Sequence, residues 1–331
     1  MINNVETNYA DGLVSVVIPT YRRFDMLSRA IRSVQYQTYK PIEILVVDDN
    51  EPGDEYSVGV KKLIAKMGLS NLTLVTQERH INGAAARNAG IIRAKGEYIA
   101  FLDDDDLWLP EKIEREVNYL SGLPDYVGGV SNRKLFIKDG KIDHISEVWK
   151  ADEKENFNVI SKQINIQTCT LLLRRSCLDD TGYFDPSLRR HQEVQLMAFF
   201  TSKYKVEFLN EILTIIDSDD VQNRPTAKQL RDYKSAYFKS IEPVLTRYND
   251  LKRKIALAHN MTEVAYAVYR DESKAKGIIM LFQYLIYPSV FVSFVRRLLL
   301  KKKSKKIDSV IANEDRKRIY TFIKECEKMN P

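Results

Sequence analysis

Four consecutive aspartates, Asp103–Asp106, directly follow a short apolar run at 98–102. Such a run predicts a buried strand, and α/β sheets place their ligand sites beyond the carboxyl ends of strands. Carboxylates this close repel one another unless a cation or solvent offsets their charge. The pattern therefore predicts a site for Mg²⁺ or Mn²⁺, which binds carboxylate oxygens and usually shares its shell with a substrate phosphate. The alternative is a solvated acidic turn before a helix, with Asp106 as cap and Pro110 in the first turn.

Strands and helices alternate before the aspartates. Apolar runs predict strands at 14–18, 42–47, 72–75 and 98–102, and helical spacing of apolar residues predicts helices at 24–37, 56–67 and 83–94. This alternation predicts an α/β fold with a mostly parallel, doubly wound sheet. Right-handed crossovers place the strand ends that carry Thr20, Asp49 and Asp103 on one sheet edge, so these residues should converge.

The rhythm changes after residue 125. Short strand-like runs occur at 126–130, 134–137, 167–173, 206–209 and 212–216, with a helical stretch at 191–203. These runs predict a smaller mixed sheet that covers one side of the site. From about residue 227 the chain is predicted to be helical.

Composition narrows the class of protein. The chain has 331 residues, 44% of them hydrophobic, and a net charge of +6, which fits one main domain with an accessory region. Three cysteines without metal-ligand spacing argue against a disulfide framework or a zinc site. The polar segment 1–12 lacks the regions of a signal peptide, which favours a cytoplasmic location.

Four motifs in order carry a resemblance to a known family. They are Val16-Val-Ile-Pro-Thr-Tyr-Arg22, Ile44-Leu-Val-Val-Asp-Asp49, Asn82-Gly-Ala-Ala-Ala-Arg-Asn-Ala-Gly90 and Ala94-Lys-Gly-Glu-Tyr-Ile-Ala-Phe-Leu-Asp-Asp-Asp-Asp106. Together they resemble the signature set of inverting family 2 glycosyltransferases of the GT-A fold. The resemblance covers about residues 13–220.

The resemblance implies the following domain plan. A tail at 1–12 precedes a GT-A catalytic domain at 13–222, and a helical C-terminal region follows at 223–331. The catalytic domain comprises a nucleotide-binding half at 13–106 and an acceptor half at 107–222.

The same resemblance assigns the nucleotide site. The residues after the first strand that it assigns to the nucleotide are Pro19, Thr20, Tyr21 and Arg22. Thr20 and the loop backbone would hydrogen-bond the nucleotide, with Tyr21 near its base; an ordinary strand-ending turn is the alternative. Asp49 matches the aspartate that accepts a hydrogen bond from uracil N3–H, and Asp48 is the alternative at the same strand end.

A second group of residues is assigned to the diphosphate and the cation. Asn82 is assigned to the donor, and Arg87, in the small-residue helix that follows it, would hold the pyrophosphate by paired hydrogen bonds. Asp103 and Asp105 match the metal-binding Asp-x-Asp element, with Asp104 beside them at the nucleotide. Asp105 is the preferred direct ligand of Mn²⁺ or Mg²⁺, although four aspartates leave the register open by one position.

An inverting transfer also needs a base that takes the proton of the acceptor hydroxyl. In Arg190-His-Gln-Glu-Val-Gln-Leu196, Glu193 falls at the position where the family usually has aspartate. The upstream run Tyr183-Phe-Asp-Pro186 matches the turn that precedes this helix in the family. A solvent-facing glutamate is the alternative. Many relatives complete the metal shell with a histidine near 217–220, where this chain offers only Asp217 or Asp219.

The segment 277–306 is the most apolar part of the chain and ends in a basic run. Tyr284, Tyr287 and the flanking cations are typical of a helix that lies in the membrane interface among anionic head groups. Packing on the catalytic domain, packing in a homodimer and a true membrane span are the alternatives. A nucleic-acid site is not expected, because the basic run lacks interleaved aromatic residues.

These expectations combine into one function. We expect an inverting glycosyltransferase, peripheral on the inner face of the cell membrane, that transfers a sugar from a UDP-sugar to a glycan or lipid-linked acceptor. The products would be precursors of capsule, O-antigen or lipopolysaccharide. A sugar nucleotidyltransferase is one alternative, although the first strand lacks a Gly-rich phosphate loop. An inactive scaffold that binds a nucleotide sugar is the other.

Overall fold

The computed structural model describes residues 9–149, 152, 154–218, 224–303 and 311–328. The predicted roles of residues 1–8, Asp219 and 304–306 therefore lie outside the described residues. Within those residues, nine strands form one sheet: β1 Ala10–Thr20, β2 Ile42–Asp48, β3 Leu72–Thr76, β4 Gly96–Phe101, β5 Leu107–Trp108, β6 Val127–Lys138, β7 Lys141–Ile145, β8 Leu171–Arg174 and β9 Lys205–Asp217.

The strand order is β3-β2-β1-β4-β8-β6-β9-β5, with β7 paired to β6. The four strands β3, β2, β1 and β4 are parallel, as the alternation of strands and helices predicts. Thr20 at the end of β1 pairs with Asp48 at the end of β2, and Val17 pairs with Phe101 at the end of β4. The loops after β1, β2 and β4 therefore leave the sheet at one edge, as predicted.

The mixed half of the fold is continuous with the parallel half. β8 is antiparallel to both β4 and β6, and so joins the two halves into one sheet. The runs predicted at 126–130 and 134–137 are one long strand, β6, and those at 206–209 and 212–216 are one long strand, β9. β6 and β9 pair in parallel with register shifts, which absorb the irregular hydrophobic pattern between the runs.

Helices cover both faces of the sheet and form the C-terminal region: α1 Phe24–Gln35, α2 Glu55–Met67, α3 Gly83–Arg93, α4 Lys112–Ser121, α5 Glu155–Ile160, α6 Arg175–Thr181, α7 Gln192–Phe200, α8 Ala227–Ser240, α9 Glu242–Leu245, α10 Asp250–Asp271, α11 Lys274–Leu285, α12 Pro288–Lys303 and α13 Asn313–Lys328. Alternate residues of β1 enter opposite cores. Val17 packs in the core that includes α3 and α7, whereas Val16 and Ile18 pack in the core that includes α1 and α4.

The C-terminal helices pack against the catalytic domain at two places. Tyr237 of α8 is buried in the same core as α3 and α7. At the other side, the Arg32 guanidinium of α1 donates a buried 2.8 Å hydrogen bond to the backbone oxygen of Cys326 in α13. The ring of Phe322 meets Tyr36 edge-on at the same contact. The helical region is therefore attached to the catalytic domain at both of its ends.

Between these attachments, α11 and α12 form a helical arm. Gly277 lets α11 approach α10, because a Cβ atom there would lie 2.5 Å from the backbone nitrogen of Tyr269. None of the helices in the described ranges combines the length and the hydropathy that crossing a bilayer requires. The arm nevertheless exposes large apolar side chains at helical spacing: Ile278, Ile279, Phe282, Ile286, Phe291, Val292, Leu298 and Leu299.

A buried carboxyl group in α5 gives the fold a pH dependence. Glu155 is buried and its Oε1 accepts a 3.0 Å hydrogen bond from the backbone N–H of Val206. Burial raises the pKa of Glu155 to about 8. Since the folded state favours the protonated acid, stability should fall as the pH rises from the ordinary range of glutamate towards 8.

We predict that Glu155→Gln raises the melting temperature at pH 8 by about 2 to 4 °C, with a much smaller gain at pH 5. The amide retains the acceptor oxygen for Val206 but cannot ionise. Calorimetry at both pH values measures the effect, with the exposed Glu211→Gln as matched control. An equal change at both pH values would contradict a buried, titrating carboxyl group.

Candidate active site

The aspartate run is largely inside the protein. Asp104 and Asp106 are buried, and Asp103 and Asp105 are partly exposed. Thr20 Oγ1 donates a 2.8 Å hydrogen bond to Asp104 Oδ2, which joins the loop after β1 to the loop after β4. Burial, together with Asp105, raises the pKa of Asp104 to about 7. The alternative of a solvated acidic turn is therefore wrong.

Asp106 does not cap a helix. Its Oδ1 accepts a 3.2 Å hydrogen bond from the backbone N–H of Asp217 in β9, and α4 begins six residues later at Lys112. The chain between them forms β5, whose Trp108 ring lies 4.2 Å below the Lys112 ammonium and whose indole N–H donates to the Cys169 carbonyl. The buried Trp108 holds the acidic loop against the sheet, so α4 begins only at Lys112.

Three arginines surround the acidic loop. Arg87 of α3 forms an ion pair with Asp103, and Arg23, the residue before α1, forms an ion pair with Asp105. Arg29 of α1 donates hydrogen bonds to the backbone oxygen of Asp105 at 2.7 Å and to Asp217 at 2.6 Å. The repulsion expected among neighbouring carboxylates is thus offset by guanidinium groups from two helices.

Arg87 retains hydrogen-bonding capacity. Its Nη2 pairs with Asp103, whereas its buried Nε has no hydrogen-bond partner among the described residues. Burial acts to lower the pKa of Arg87, but the carboxylates of Asp103 and Glu193 outweigh it and raise the pKa. A largely buried cation with a spare donor fits the phosphate role that the sequence predicts.

The same helix ties the donor side to the predicted base helix. Asn82 caps α3 by accepting from the backbone N–H groups of Ala84 and Ala85, and donates 2.8 Å to the carbonyl of Pro186. Asn88 exchanges two hydrogen bonds with the backbone of Phe184, at 2.8 and 3.1 Å. The turn that leads into α7 is therefore held by polar side chains of α3.

The predicted base lies at this junction. Glu193 is in the first turn of α7 and partly exposed, and no hydrogen bond or ion pair to its carboxylate is found in the described part of the chain. Its charge acts on Arg87 and on Lys134, a buried lysine of β6. Burial lowers the pKa of Lys134 to about 8, and its ammonium donates a 2.9 Å hydrogen bond to the Asn165 carbonyl.

Asp48 and Asp49 have different surroundings. Asp48 is fully buried, and its two carboxylate oxygens accept hydrogen bonds from Asn50 and Ser57. Such internal hydrogen bonds leave no surface of this side chain for a ligand. Asp49 is almost as buried and is also paired, but its side-chain partners Gln77 and His80 are partly exposed, so Asp49 is the more accessible of the two candidates.

Asp49 lies beside two rings. Its Oδ1 accepts from the Gln77 amide and from the backbone N–H of Ile81, and His80 Nδ1 lies 3.0 Å from its Oδ2. The His80 ring stacks on Tyr21 with centroids 3.9 Å apart. Burial raises the pKa of Asp49, while Ile81 and His80 act against it. Tyr21 and Asp49, predicted from separate motifs, thus meet through His80.

The remaining predicted nucleotide residues shape the loop after β1. Pro19 is the second-last residue of β1, and Arg22 adopts a left-handed φ of 59°. The backbone N–H of Arg22 donates 2.8 Å to Asn50, and its guanidinium lies 5.0 Å from the Tyr21 ring centroid. Arg22 therefore supports Tyr21 from the solvent side.

The carboxylates differ in their fitness for a hard cation. Asp103, Asp106 and Cys169 place potential ligand atoms within 4.8 Å of one another. Burial raises the pKa of Asp106 and of the Cys169 thiol well above their usual ranges, which disfavours the ionised ligands that a metal requires. Burial and Asp103 also raise the pKa of Asp105, but Asp103 and Asp105 are partly exposed and so offer Mg²⁺ or Mn²⁺ more accessible carboxyl groups than Asp106 does. Asp217 is paired with Arg29.

Sequence reasoning missed several residues of the site. Arg23 lies next to a recognised motif and Asn88 lies within one, but the sequence did not indicate which residue either side chain contacts. Arg29, His80 and Lys134 lie outside the quoted motifs and reach the site only through the fold. A charged residue on the buried side of a predicted helix, as Arg29 is, was the available signal.

Comparison with known proteins agrees with these motifs. The family model described as glycosyl transferase family 2 matches residues 15–182. One relative is the UDP-Glc:alpha-D-GlcNAc-diphosphoundecaprenol beta-1,3-glucosyltransferase WfaP of Escherichia coli. It is 30% identical over 171 residues, which cover 52% of this chain and 64% of that protein.

Two solved structures share the fold. TarS 1–349 of S. aureus, in complex with UDP-GlcNAc, superposes with a TM-score of 0.56 and 15% identity, and covers 95% of this chain and 88% of its own. The mannosyltransferase PcManGT of Pyrobaculum calidifontis, in complex with GDP-Man and Mn²⁺, gives a TM-score of 0.50 and 18% identity, with coverage of 84% and 82%.

Proposed function

This chain belongs to glycosyl transferase family 2, and from that membership we propose that it transfers a sugar from a UDP-sugar to a hydroxyl group of a glycan or lipid-linked acceptor with inversion. The observation that carries the proposal is the position of Arg87. Arg87 forms an ion pair with Asp103 of the acidic loop, and the negative charge of Glu193 also stabilises its positive charge. The proposed donor-binding residues and the proposed base therefore lie on either side of one largely buried cation.

The donor is proposed to bind along the edge where β1, β2 and β4 end. Asp49 supplies a buried acceptor beside the Tyr21 ring, which suits the N3–H and the face of a uracil. Of the similar proteins, WfaP is named for UDP-Glc and TarS is complexed with UDP-GlcNAc, whereas PcManGT holds GDP-Man. The acceptor at Asp49 favours UDP.

A divalent cation is proposed to bind the carboxylate of Asp105, with Asp103 beside it. When bound, the cation would stabilise the negative charge that develops on the leaving diphosphate. In this structure Arg23 forms an ion pair with the Asp105 carboxylate. This ion pair must break before a cation can bind Asp105. The spare donor of Arg87 would hold a phosphate oxygen from the other side.

Glu193 is proposed as the base. Its carboxylate would accept the proton of the acceptor hydroxyl as that oxygen bonds to C1 of the sugar and the bond from C1 to the diphosphate breaks. The glutamate side chain is about one bond longer than that of the aspartate usual in the family. For its carboxylate to reach the same place, α7 would have to lie slightly further from the acceptor, and the Asn88–Phe184 hydrogen bonds hold the turn that sets the position of α7.

The acceptor is proposed to be carried at the inner face of the cell membrane, as a precursor of a surface polysaccharide. The arm of α11 and α12 exposes eight large apolar side chains within 22 residues, and Lys274 and Lys276 are exposed at its start. An apolar face flanked by cations suits anionic lipid head groups. WfaP, named for a diphosphoundecaprenol acceptor, supports the same class of acceptor.

The cation site gives two variants with opposite expected effects. Asp105→Asn should weaken Mn²⁺ binding by about tenfold or more and remove metal-dependent UDP binding, because a ligand carboxylate is lost. Arg23→Gln should strengthen Mn²⁺ binding without nucleotide by roughly three- to tenfold, because a competing cation is removed. Electron paramagnetic resonance of free Mn²⁺ measures both.

The exposed Arg115→Gln, on α4, is the matched control for a lost positive charge. Unchanged Mn²⁺ affinity in Asp105→Asn would remove the metal assignment. Weaker Mn²⁺ binding in Arg23→Gln would show that this arginine organises the site rather than competing for it.

We predict that Glu193→Gln lowers turnover by about 10² to 10⁴ and changes the dissociation constant of UDP by less than about twofold. The amide keeps the shape but cannot accept the proton. Release of UDP with an acceptor, or slow donor hydrolysis, measures turnover, and calorimetry measures UDP binding. Retained turnover would place the base elsewhere, and pyrophosphate release would instead favour the nucleotidyltransferase alternative.

We predict that the triple variant Ile279→Ser, Phe282→Ser and Ile286→Ser lowers binding to vesicles with anionic lipids by about tenfold or more, because each loses exposed apolar area. Flotation of the protein with the vesicles measures it. The control pair Ile92→Ser and Tyr126→Ser removes similarly exposed residues of the catalytic domain. Unchanged flotation combined with loss of a dimer in light scattering would instead make the arm a subunit interface.

A further inference from the structure

The helix that carries Glu193 begins at an unusual residue. His191 is the cap residue of α7 and has a left-handed backbone, with φ of 65° and ψ of 23°. Its carbonyl accepts a 2.9 Å hydrogen bond from the backbone N–H of Gln195, which starts the helix. Glu193 lies two residues further on, so the backbone of His191 sets the direction in which the first turn presents the carboxylate.

The His191 ring is a packing group rather than a charged one. It is buried, and its Nε2 has no hydrogen-bond partner among the described residues. Burial and the nearby ammonium groups of Lys234 and Lys162 lower its pKa to about 2, while Glu263 acts in the opposite sense. The imidazole is therefore neutral, and the ring of Tyr237 meets it edge-on with centroids 5.6 Å apart.

Tyr237 comes from the C-terminal region and is itself firmly held. It lies on α8 and is fully buried. Its hydroxyl donates a 3.2 Å hydrogen bond to the carbonyl of Ile160 at the end of α5, and the Asn260 amide of α10 donates a 3.0 Å bond to the same oxygen. The Ile160 carbonyl oxygen thus accepts hydrogen bonds from two of the C-terminal helices, α8 and α10.

An ionic cluster around the buried Lys234 joins the same helices. The Lys234 ammonium of α8 donates 2.9 Å to Asn260 and pairs with Glu263 of α10 at 2.7 Å. Lys162 of the catalytic domain pairs with Glu263 at 2.9 Å. Removing Glu263 would leave the buried Lys234 ammonium without its anionic partner, so this pair holds α8 against α10.

We propose that Tyr237 is a positioning residue for catalysis: its ring holds that of His191, and thereby the first turn of α7 and the Glu193 carboxylate, so that the C-terminal helices complete the active site. The inference rests on the proposed role of Glu193. It assigns α8 and α10 a part in the reaction, separate from the arm of α11 and α12. Tyr237 acts through His191 and needs no contact with substrate.

The test compares variants that keep or remove the ring contact. Tyr237→Phe keeps the ring and should retain turnover within about threefold of the unchanged protein. Tyr237→Leu removes the ring and should lower kcat by about 10- to 100-fold with UDP affinity changed less than twofold, because a displacement of about 1 Å at the base has an effect of this order. His191→Asn tolerates the left-handed backbone but lacks the ring, and should resemble Tyr237→Leu.

Two further measurements separate positioning from general loss of structure. Tyr248→Leu makes the same change at a tyrosine packed against the same core, away from His191, and should leave kcat unchanged. In the Glu193→Gln background, Tyr237→Leu should have almost no additional effect, because both act on one proton transfer.

Full kcat in both Tyr237→Leu and His191→Asn would overturn the proposal. So would an additional loss in the Glu193→Gln background as large as in the unchanged protein. If Tyr237→Leu does not fold, His191→Asn alone decides the outcome. If Glu193→Gln itself retains turnover, the assigned base fails while the effect of Tyr237 on kcat is still measured.

Discussion

The site depends on balancing the charge of the acidic loop. Four adjacent carboxyl groups can be held at the sheet edge only if their repulsion is relieved, by hydrogen-bond and ion-pair partners and, where burial raises the pKa as at Asp104 and Asp106, by protonation. Arg87, Arg23 and the Thr20 hydroxyl supply partners to Asp103, Asp105 and Asp104. Asp106 is satisfied by the backbone of β9. The loop is thereby pre-formed, with its two outer-facing carboxylates directed to cations.

The helix α3 converts this local balance into an active-site geometry. Its small residues let it lie close to β1: a Cβ atom on Gly90 would be 2.4 Å from a methyl carbon of Val17. From that position Arg87 reaches the acidic loop, while Asn82 and Asn88 hold the turn before α7. Arg87 and the turn before α7 are therefore positioned by one helix.

The parallel half of the fold was predictable because its signals are local. Apolar runs and small-residue spacing indicated β1 to β4, and the crossover rule brought Thr20 and Asp103 to one edge. The helix cap at Asp106 and the separate strands after 125 were wrong because Trp108 and the register shifts of β6 and β9 are tertiary features. Arg29 could not be assigned, since its partner Asp217 lies 188 residues away.

The C-terminal region illustrates why sequence pattern describes only part of this protein. Its most conspicuous signal, the apolar segment beginning at residue 277, points outward and suits a membrane surface. Its contribution to the catalytic centre depends instead on Tyr237 and Lys234, which have no recognisable pattern. Since α11 packs on α10, and Asn260 and Glu263 of α10 meet α8 beneath His191, the surface that would meet the lipid and the helix that carries Glu193 share one rigid support. If Glu193 is the base and the arm meets the membrane, as proposed, α8 and α10 would position both the acceptor and the base.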